Sequence, residues 1–128
     1  MKRSLLERCL QIARQYNSPN RHPQWGYYLH YSFVIQHGKL LGFGMNRAAP
    51  PLTHLGYATT AKVHSETEAI RNCRYQIDFN SAFSVINIRC NTNGALRMSK
   101  PCRCCYQFLI GLGCNKVLYS TDRGFLEI

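Results

Sequence analysis

Two short motifs carry side chains that bind transition metals, and together they limit how this chain can fold. The first is His64-Ser65-Glu66 and the second is Pro101-Cys102-Arg103-Cys104-Cys105. Cys102 and Cys105 are three positions apart, so both thiols lie on one face at the start of a helix. Pro101 is tolerated at a helix's first turn. If His64 joins these thiols, the fold must bring the starts of two helices together.

The residue types favour a catalytic zinc site. Catalytic zinc typically takes three protein ligands and leaves its fourth position to water, and His64, Cys102 and Cys105 supply such a set. Zinc lowers the pKa of that water to about 7. Glu66 is placed to stay off the metal and carry a proton, whereas Cys104 points elsewhere. A structural zinc site remains an alternative, but only three convincing ligands are present for it. A redox dithiol also remains one, but it would leave His64 and Glu66 without a purpose.

The other cysteines indicate a reduced, intracellular protein. Seven cysteines are an odd number, and Cys9, Cys73, Cys90 and Cys114 are expected to be small buried side chains. No apolar stretch is long enough to span a membrane, and charged residues interrupt any signal-peptide core at the N-terminus. We therefore expect no membrane partner and a cytoplasmic location, or a nuclear one if the source is eukaryotic.

The length of 128 residues predicts one domain over positions 1–128. Apolar periodicity predicts three helices and five strands in the order α-β-β-α-β-α-β-β. This order predicts an α/β fold, a three-layer α/β/α sandwich around a central mixed five-stranded sheet, with the metal motifs at the starts of the second and third helices. The predicted helices are 4–16, 61–73 and 102–112, and the predicted strands are 27–36, 40–46, 82–90, 116–121 and 125–128.

The motifs and their order resemble the cytidine deaminase superfamily over nearly the whole chain. The resemblance implies a cytidine deaminase-like fold and a zinc-dependent hydrolase acting on C–N bonds of cyclic amidines. It also implies that His64, Cys102 and Cys105 bind Zn²⁺, that Glu66 is the catalytic proton shuttle, and that the Ser65 backbone contacts the base. Many superfamily members assemble through their helices, so a homo-oligomer is an alternative to a monomer.

Charge and local departures from the superfamily pattern bear on the substrate. A net charge of +10 favours a polyanionic partner, with solubility as the alternative explanation. Asn46 resembles the substrate-binding asparagine of tRNA adenosine and deoxycytidylate deaminases, although strand-end asparagines also stabilise turns. Members acting on free cytidine usually have Cys as first ligand and Glu two residues after the asparagine. His64 and Ala48 stand there instead, which favours a nucleotide or single-stranded nucleic acid.

Three further residues are substrate-binding candidates. Lys100 meets a phosphate or is merely solvated, while Trp25 and Tyr119 stack on a base or pack in the core. The short ending after the fourth strand favours deamination of cytosine to uracil, in dCMP, CMP or single-stranded nucleic acid. The alternatives are an adenine-to-hypoxanthine deaminase acting on RNA and a non-catalytic, zinc-stabilised nucleic-acid-binding protein.

Overall fold

The computed structural model describes residues 3–17, 29–48 and 62–128. Every predicted helix and strand is present within them, and most boundaries differ by only a few residues. No described helix has the length and apolar character needed to cross a membrane. The elements are α1 (Arg3–Tyr16), β1 (His30–Gln36), β2 (Lys39–Met45), β3 (Arg47–Ala48), β4 (Lys62–Val63), α2 (Ser65–Cys73), β5 (Phe83–Cys90), β6 (Leu96–Arg97), α3 (Arg103–Gly111), β7 (Cys114–Thr121) and β8 (Gly124–Glu127).

The central sheet is mixed and follows the order β2-β1-β5-β7-β8. The β5–β7 pair is parallel, and the other pairs along this path are antiparallel. These are the five predicted strands. The sheet also includes a sixth strand, β6, which pairs with β5, and β3 and β4 form a separate two-stranded sheet. The sequence did not predict β3 or β6, because two residues are too few to show an alternating pattern. The prediction was wrong for Lys62 and Val63, which it placed at the start of the second helix; they pair with β3 as β4, and α2 begins at Ser65.

One face of the sheet packs against α1. Alternate strand residues such as Phe33 and Ile86 point to this face and are fully buried. They meet Cys9 and Ala13, which lie one helical turn apart on α1. The helix therefore covers this face with an apolar stripe, as its periodicity predicted.

The opposite face packs against α2 and α3. Val34, Val85 and Val117 form its centre, and they contact Ala69 of α2 and Leu109 of α3 in one buried cluster. With α1 on the other side, the chain forms the predicted three-layer α/β/α sandwich. Toward the start of α2 the same face changes from apolar to polar, and the candidate site lies there.

Two glycines of β2 let α2 lie close to the sheet. A Cβ atom on Gly44 would lie 2.3 Å from the backbone nitrogen of Ala69, and one on Gly42 would lie 2.8 Å from the Cys73 sulfur. Real Cβ atoms do not approach backbone atoms this closely, so any side chain at position 44 must move the helix. Because α2 begins immediately after His64, this contact also sets the position of the first candidate ligand.

We expect Gly44→Ala to destabilise the fold by at least about 1–3 kcal/mol, because the added methyl group overpacks the β2–α2 contact. Gly111→Ala is the matched control, since a Cβ atom there meets nothing within 4 Å. Its effect should be neutral or slightly stabilising, because alanine favours helix more than glycine does. Urea unfolding of both variants is the measurement, and equal midpoints would contradict the close-contact explanation.

Candidate active site

Three candidate metal ligands meet where α2 and α3 begin. The Nδ1 atom of His64 lies 3.2 Å from the Cys105 sulfur and 3.8 Å from the Cys102 sulfur. All three ligand atoms lie within 4.8 Å of one another. The structure therefore brings together the three residues that the two motifs singled out.

These distances suit a tetrahedral zinc ion. With a Zn–S length of about 2.3 Å and a Zn–N length of about 2.0–2.1 Å, a tetrahedral centre holds sulfur and nitrogen about 3.6 Å apart. The two observed sulfur–nitrogen distances, 3.2 and 3.8 Å, fall on either side of that value. Within the described part of the chain this is the only such group of three ligands, and it contains no carboxylate. A set of three leaves one tetrahedral position for water.

At both helix starts the N-cap position holds a candidate ligand instead of a capping side chain. His64 is the N-cap of α2 and Cys102 is the N-cap of α3, both with extended backbone and neither with a side-chain cap hydrogen bond. A Ser, Thr, Asp or Asn at such a position typically adds about 1 kcal/mol of stability. Here both N-cap side chains point at one shared point instead, which is the arrangement a metal site requires.

The electrostatics around Cys105 also fit a cation. Burial raises the pKa of the Cys105 thiol, and the Glu66 carboxylate raises it further. Both effects disfavour a thiolate in the metal-free protein. A divalent ion reverses the balance, because a coordinating thiol loses its proton to the metal's charge. The donor set is therefore compatible with zinc.

The remaining buried cysteines behave as core residues, as predicted. Cys9, Cys73, Cys90 and Cys114 are all buried. Burial raises the pKa of Cys9 to about 12, although Arg8 acts in the opposite direction. Burial likewise raises the pKa of the other three thiols. Cys104, by contrast, is exposed and stands outside the three-ligand set.

Glu66 lies in the first turn of α2, where the helix dipole favours a carboxylate. It is only 5% exposed and is held in a buried ring of polar side chains. Its Oε1 accepts from the Ser65 hydroxyl at 3.0 Å, and its Oε2 accepts from the Asn87 amide at 3.2 Å. Ser32 closes the ring, with 2.7 Å to the Ser65 hydroxyl and 2.7 Å to Asn87 Oδ1. The carboxylate is therefore fixed on both oxygens.

The ring can accommodate a proton on Glu66. The Asn87 amide also donates to the Ser99 carbonyl at 3.2 Å, which fixes its orientation. The four contacts of the ring need four hydrogens, and Ser32, Ser65 and Asn87 supply three. A proton on Glu66 supplies the fourth. The same side chains therefore bind Glu66 in both of the states that a proton shuttle must adopt.

Ser99 fixes the segment that leads into Cys102. Its hydroxyl donates to the Asn87 carbonyl at 2.9 Å, and its amide donates to the Ser120 carbonyl at 2.9 Å. The Ser120 amide in turn donates to the Ser99 hydroxyl at 2.7 Å. These bonds attach the segment to β5 and β7 at once. The second ligand motif is therefore held in place by the central sheet.

A cavity of about 300 Å³ opens beside the ligand group. The predicted residues Asn46, Ser65 and Lys100 line it together with Glu66 and the candidate ligands His64 and Cys102. Asn46 makes a structural contact, because its Oδ1 accepts from the His30 amide at 2.7 Å and joins the start of β1 to the end of β2. The lining residues are His30, Asn46, Val63, His64, Ser65, Glu66, Lys100 and Cys102.

Of the two predicted aromatic residues, only Tyr119 lies in the described part of the chain, and it does not line this cavity. Tyr119 lies on β7, opposite Asn87 in the β5–β7 register, and is 8% exposed. It is not among the described residues that line the cavity, and its burial fits the core alternative. Trp25 lies outside the described residues.

Sequence reasoning missed His30, Ser32 and Asn87. Ser32 and Asn87 are directly opposite in the β1–β5 register and both face α2. A sequence signal was present, since each is a polar residue inside an otherwise apolar strand at a core-facing position. His30 gave no such signal, because it begins its strand.

Together, fold and site define a three-layer α/β/α sandwich with a candidate three-ligand metal site and a buried carboxylate in the same cavity. No protein-family model matches the sequence, and no curated protein matches it significantly. Solved structures do match. A dCMP deaminase from cyanophage S-TIM5 superimposes with a TM-score of 0.59 and 18% identity, over 93% of this chain and 84% of that one.

A second similar structure is a cytidine deaminase from Burkholderia pseudomallei. It gives a TM-score of 0.62 and 16% identity, over 100% of this chain and 92% of that one. A cytidine deaminase from Mycobacterium leprae gives 0.62 and 17%, over 95% and 92% of the two chains. The chain therefore has the cytidine deaminase-like fold that its motifs implied.

We expect zinc to protect Cys102 and Cys105 from alkylation but to leave Cys104 reactive. In the metal-free protein Cys102 and Cys104 are both exposed, so iodoacetamide should label both quickly. Peptide mass mapping before and after zinc addition measures the change, and Arg103 allows trypsin to separate Cys102 from Cys104. Equal protection of Cys102 and Cys104, or none at Cys102, would refute the assigned ligand set.

Removing the Asn87 side chain should destabilise the protein by about 1–3 kcal/mol, because Glu66 and Ser32 would each lose a buried partner. Asn80→Ala is the control, since Asn80 is exposed and its effect should stay within about 0.5 kcal/mol. Chemical unfolding of Asn87→Ala and Asn80→Ala measures both values. A loss for Asn87→Ala no larger than that of the control would show that the ring contributes no stability.

Proposed function

We propose that this protein is a zinc-dependent hydrolase that deaminates a nucleobase, with cytosine in a nucleotide or single-stranded nucleic acid as its substrate. The observation that carries the proposal is the placement of Glu66 in the same cavity as His64 and Cys102. Three ligands without a carboxylate suit an open metal position, and a buried carboxylate next to it suits a proton carrier.

The chain's own residues then have defined tasks. His64, Cys102 and Cys105 would hold the zinc, which when bound would supply a water molecule of lowered pKa. Glu66 would carry both protons of the attacking water in turn, the first to the ring nitrogen N3 and the second to the departing amine. The water oxygen would bond to C4 of cytosine, the bond from C4 to the exocyclic nitrogen would break, and uracil and ammonia would leave. The ring of Ser32, Ser65 and Asn87 keeps the Glu66 carboxylate in position.

Cytosine and a phosphorylated substrate are favoured by separate observations. One of the similar structures is the cyanophage dCMP deaminase in complex with dCMP and dUMP, with a TM-score of 0.56 and 18% identity. In this chain Lys100 lines the cavity and is exposed, so its ammonium group is available to a phosphate. Asn46 and the backbone of Ser65 are the proposed contacts to the nucleoside.

Glu66→Gln should lower kcat/KM for cytosine deamination by at least about 100-fold, because general acid–base catalysis typically contributes 10²–10⁴-fold. The measurement is release of uracil from dCMP, CMP and cytosine-containing oligonucleotides by zinc-loaded protein. Glu7→Gln is the matched control. Glu7 is exposed on α1, where it pairs with Arg3, and α1 lies on the opposite side of the sheet from Glu66. The control should retain full activity.

Zinc content, measured by elemental analysis, keeps the test specific. Glu66→Gln should bind as much zinc as the unaltered protein, because Glu66 is not in the ligand set. If an RNA substrate yields inosine and no substrate yields uracil, the base that is deaminated is adenine and not cytosine. No deamination of any substrate, with the unaltered protein and Glu66→Gln identical, would leave the zinc-stabilised nucleic-acid-binding protein as the surviving explanation.

A further inference from the structure

A second cavity lies at the start of α3, next to the candidate active site. It has a volume of about 470 Å³, and we call it the α3 groove. Lys100 lines both the α3 groove and the active-site cavity, so the two meet at this residue. The other lining residues are Pro101, Arg103, Tyr106, Gln107 and Ile128.

The α3 groove presents positive charge without a matching acid. None of its six lining side chains is acidic. The three ion pairs found among the described residues all lie elsewhere, so neither Lys100 nor Arg103 has a carboxylate partner in the described part of the chain. Both side chains are exposed at a helix start, where backbone amides add to the positive potential. An anionic ligand would complete these charges.

The groove also offers a surface on which a base can stack. Tyr106 is half-buried and lies one helical turn after Arg103 on α3. Proteins that bind single-stranded nucleic acids use such a pair on one helix face. The guanidinium group binds the phosphate and the aromatic ring stacks on the base. A free mononucleotide in the active-site cavity has no second base, so it would leave Tyr106 without a stacking partner.

We propose that the α3 groove binds the nucleotide adjacent to the target base, so that the substrate is a single-stranded polynucleotide. Lys100 contacts the phosphodiester between the two nucleotides, Arg103 contacts the next phosphate, and Tyr106 stacks on the neighbouring base. This inference rests on the proposed function for the identity of the target base, but the binding it predicts does not depend on turnover. The chain's charge of +10 is consistent with such a ligand.

Binding is tested with zinc-loaded protein and a fluorescein-labelled nine-nucleotide oligothymidylate, which has no exocyclic amine to lose. Anisotropy titrations at several salt concentrations give the affinity and its salt dependence. Arg103→Gln should weaken binding several-fold and reduce the slope of log affinity against log salt by about 0.7, the value for one lost single-strand phosphate contact. Arg8→Gln removes the same charge from exposed α1 and should change neither.

Tyr106 provides an independent arm of the test. Tyr106→Ala should weaken oligothymidylate binding at least about fivefold with no change in salt slope, because stacking involves no counterion release. Tyr106→Phe should restore the affinity, since it keeps the ring. Equal effects of Arg103→Gln and Arg8→Gln, or equal affinity of the alanine and phenylalanine variants, would overturn the proposal.

Activity measurements distinguish whether Arg103 contacts a phosphodiester of an oligonucleotide or the terminal phosphate of a mononucleotide. Arg103→Gln should reduce deamination of a cytosine-containing oligonucleotide several-fold and leave deamination of dCMP within about twofold. An equal loss on both substrates would assign Arg103 to a terminal phosphate and overturn the proposal that the substrate is a polynucleotide. If no substrate is deaminated, the proposed function fails, whereas the oligothymidylate arm still decides whether the groove binds nucleic acid.

Discussion

The meeting of two helix starts at one edge of the sheet is the constraint on which the rest of this structure depends. His64 is far in sequence from the two cysteines, yet the three ligand atoms lie within 4.8 Å of one another. That proximity requires α2 to lie directly on β2, which glycine at position 44 permits. It also requires the segment before Cys102 to be anchored on β5 and β7, which Ser99 and Ser120 achieve by hydrogen bonds.

The polar ring beneath the site solves a problem that this arrangement creates. A buried carboxylate is costly unless hydrogen bonds and charges compensate it. Glu66 receives neutral donors from Ser65 and Asn87 and lines the same cavity as the candidate ligands His64 and Cys102. In the proposed function, zinc with two thiolates and a neutral imidazole would have no net charge, so the Glu66 carboxylate would be the charge that a proton adds or removes at this point. A ring with room for one more hydrogen suits that role.

The sequence allowed the layers and the ligands to be predicted because both leave local signals. The spacing of Cys102 and Cys105 follows from the start of one helix, α3, and the spacing of His64 and Glu66 follows from the first turn of the preceding helix, α2. Ser32 and Asn87 could not be paired in advance, because their contact depends on the β1–β5 register, which places them directly opposite each other. β6 is too short for any pattern. Tyr119 had two possible roles, stacking on a base or packing in the core, because an aromatic residue in a strand is compatible with both; it is 8% exposed, which fits the core role.

Lys100 connects the chemistry of the site with the charge of the whole chain. The same side chain lies at the wall of the catalytic cavity and at the wall of the α3 groove, immediately before the second ligand motif. The candidate ligand motif is thus continuous with the surface that we propose as the phosphate site. Because Pro101 is buried and Ser99 is bonded to the sheet, the backbone of Lys100 between them is held beside the cavity, while its side chain is exposed. In the proposed function a phosphate bound by Lys100 would help to orient the base toward Glu66, so recognition of the backbone and placement of the reacting ring would depend on adjacent residues of one motif.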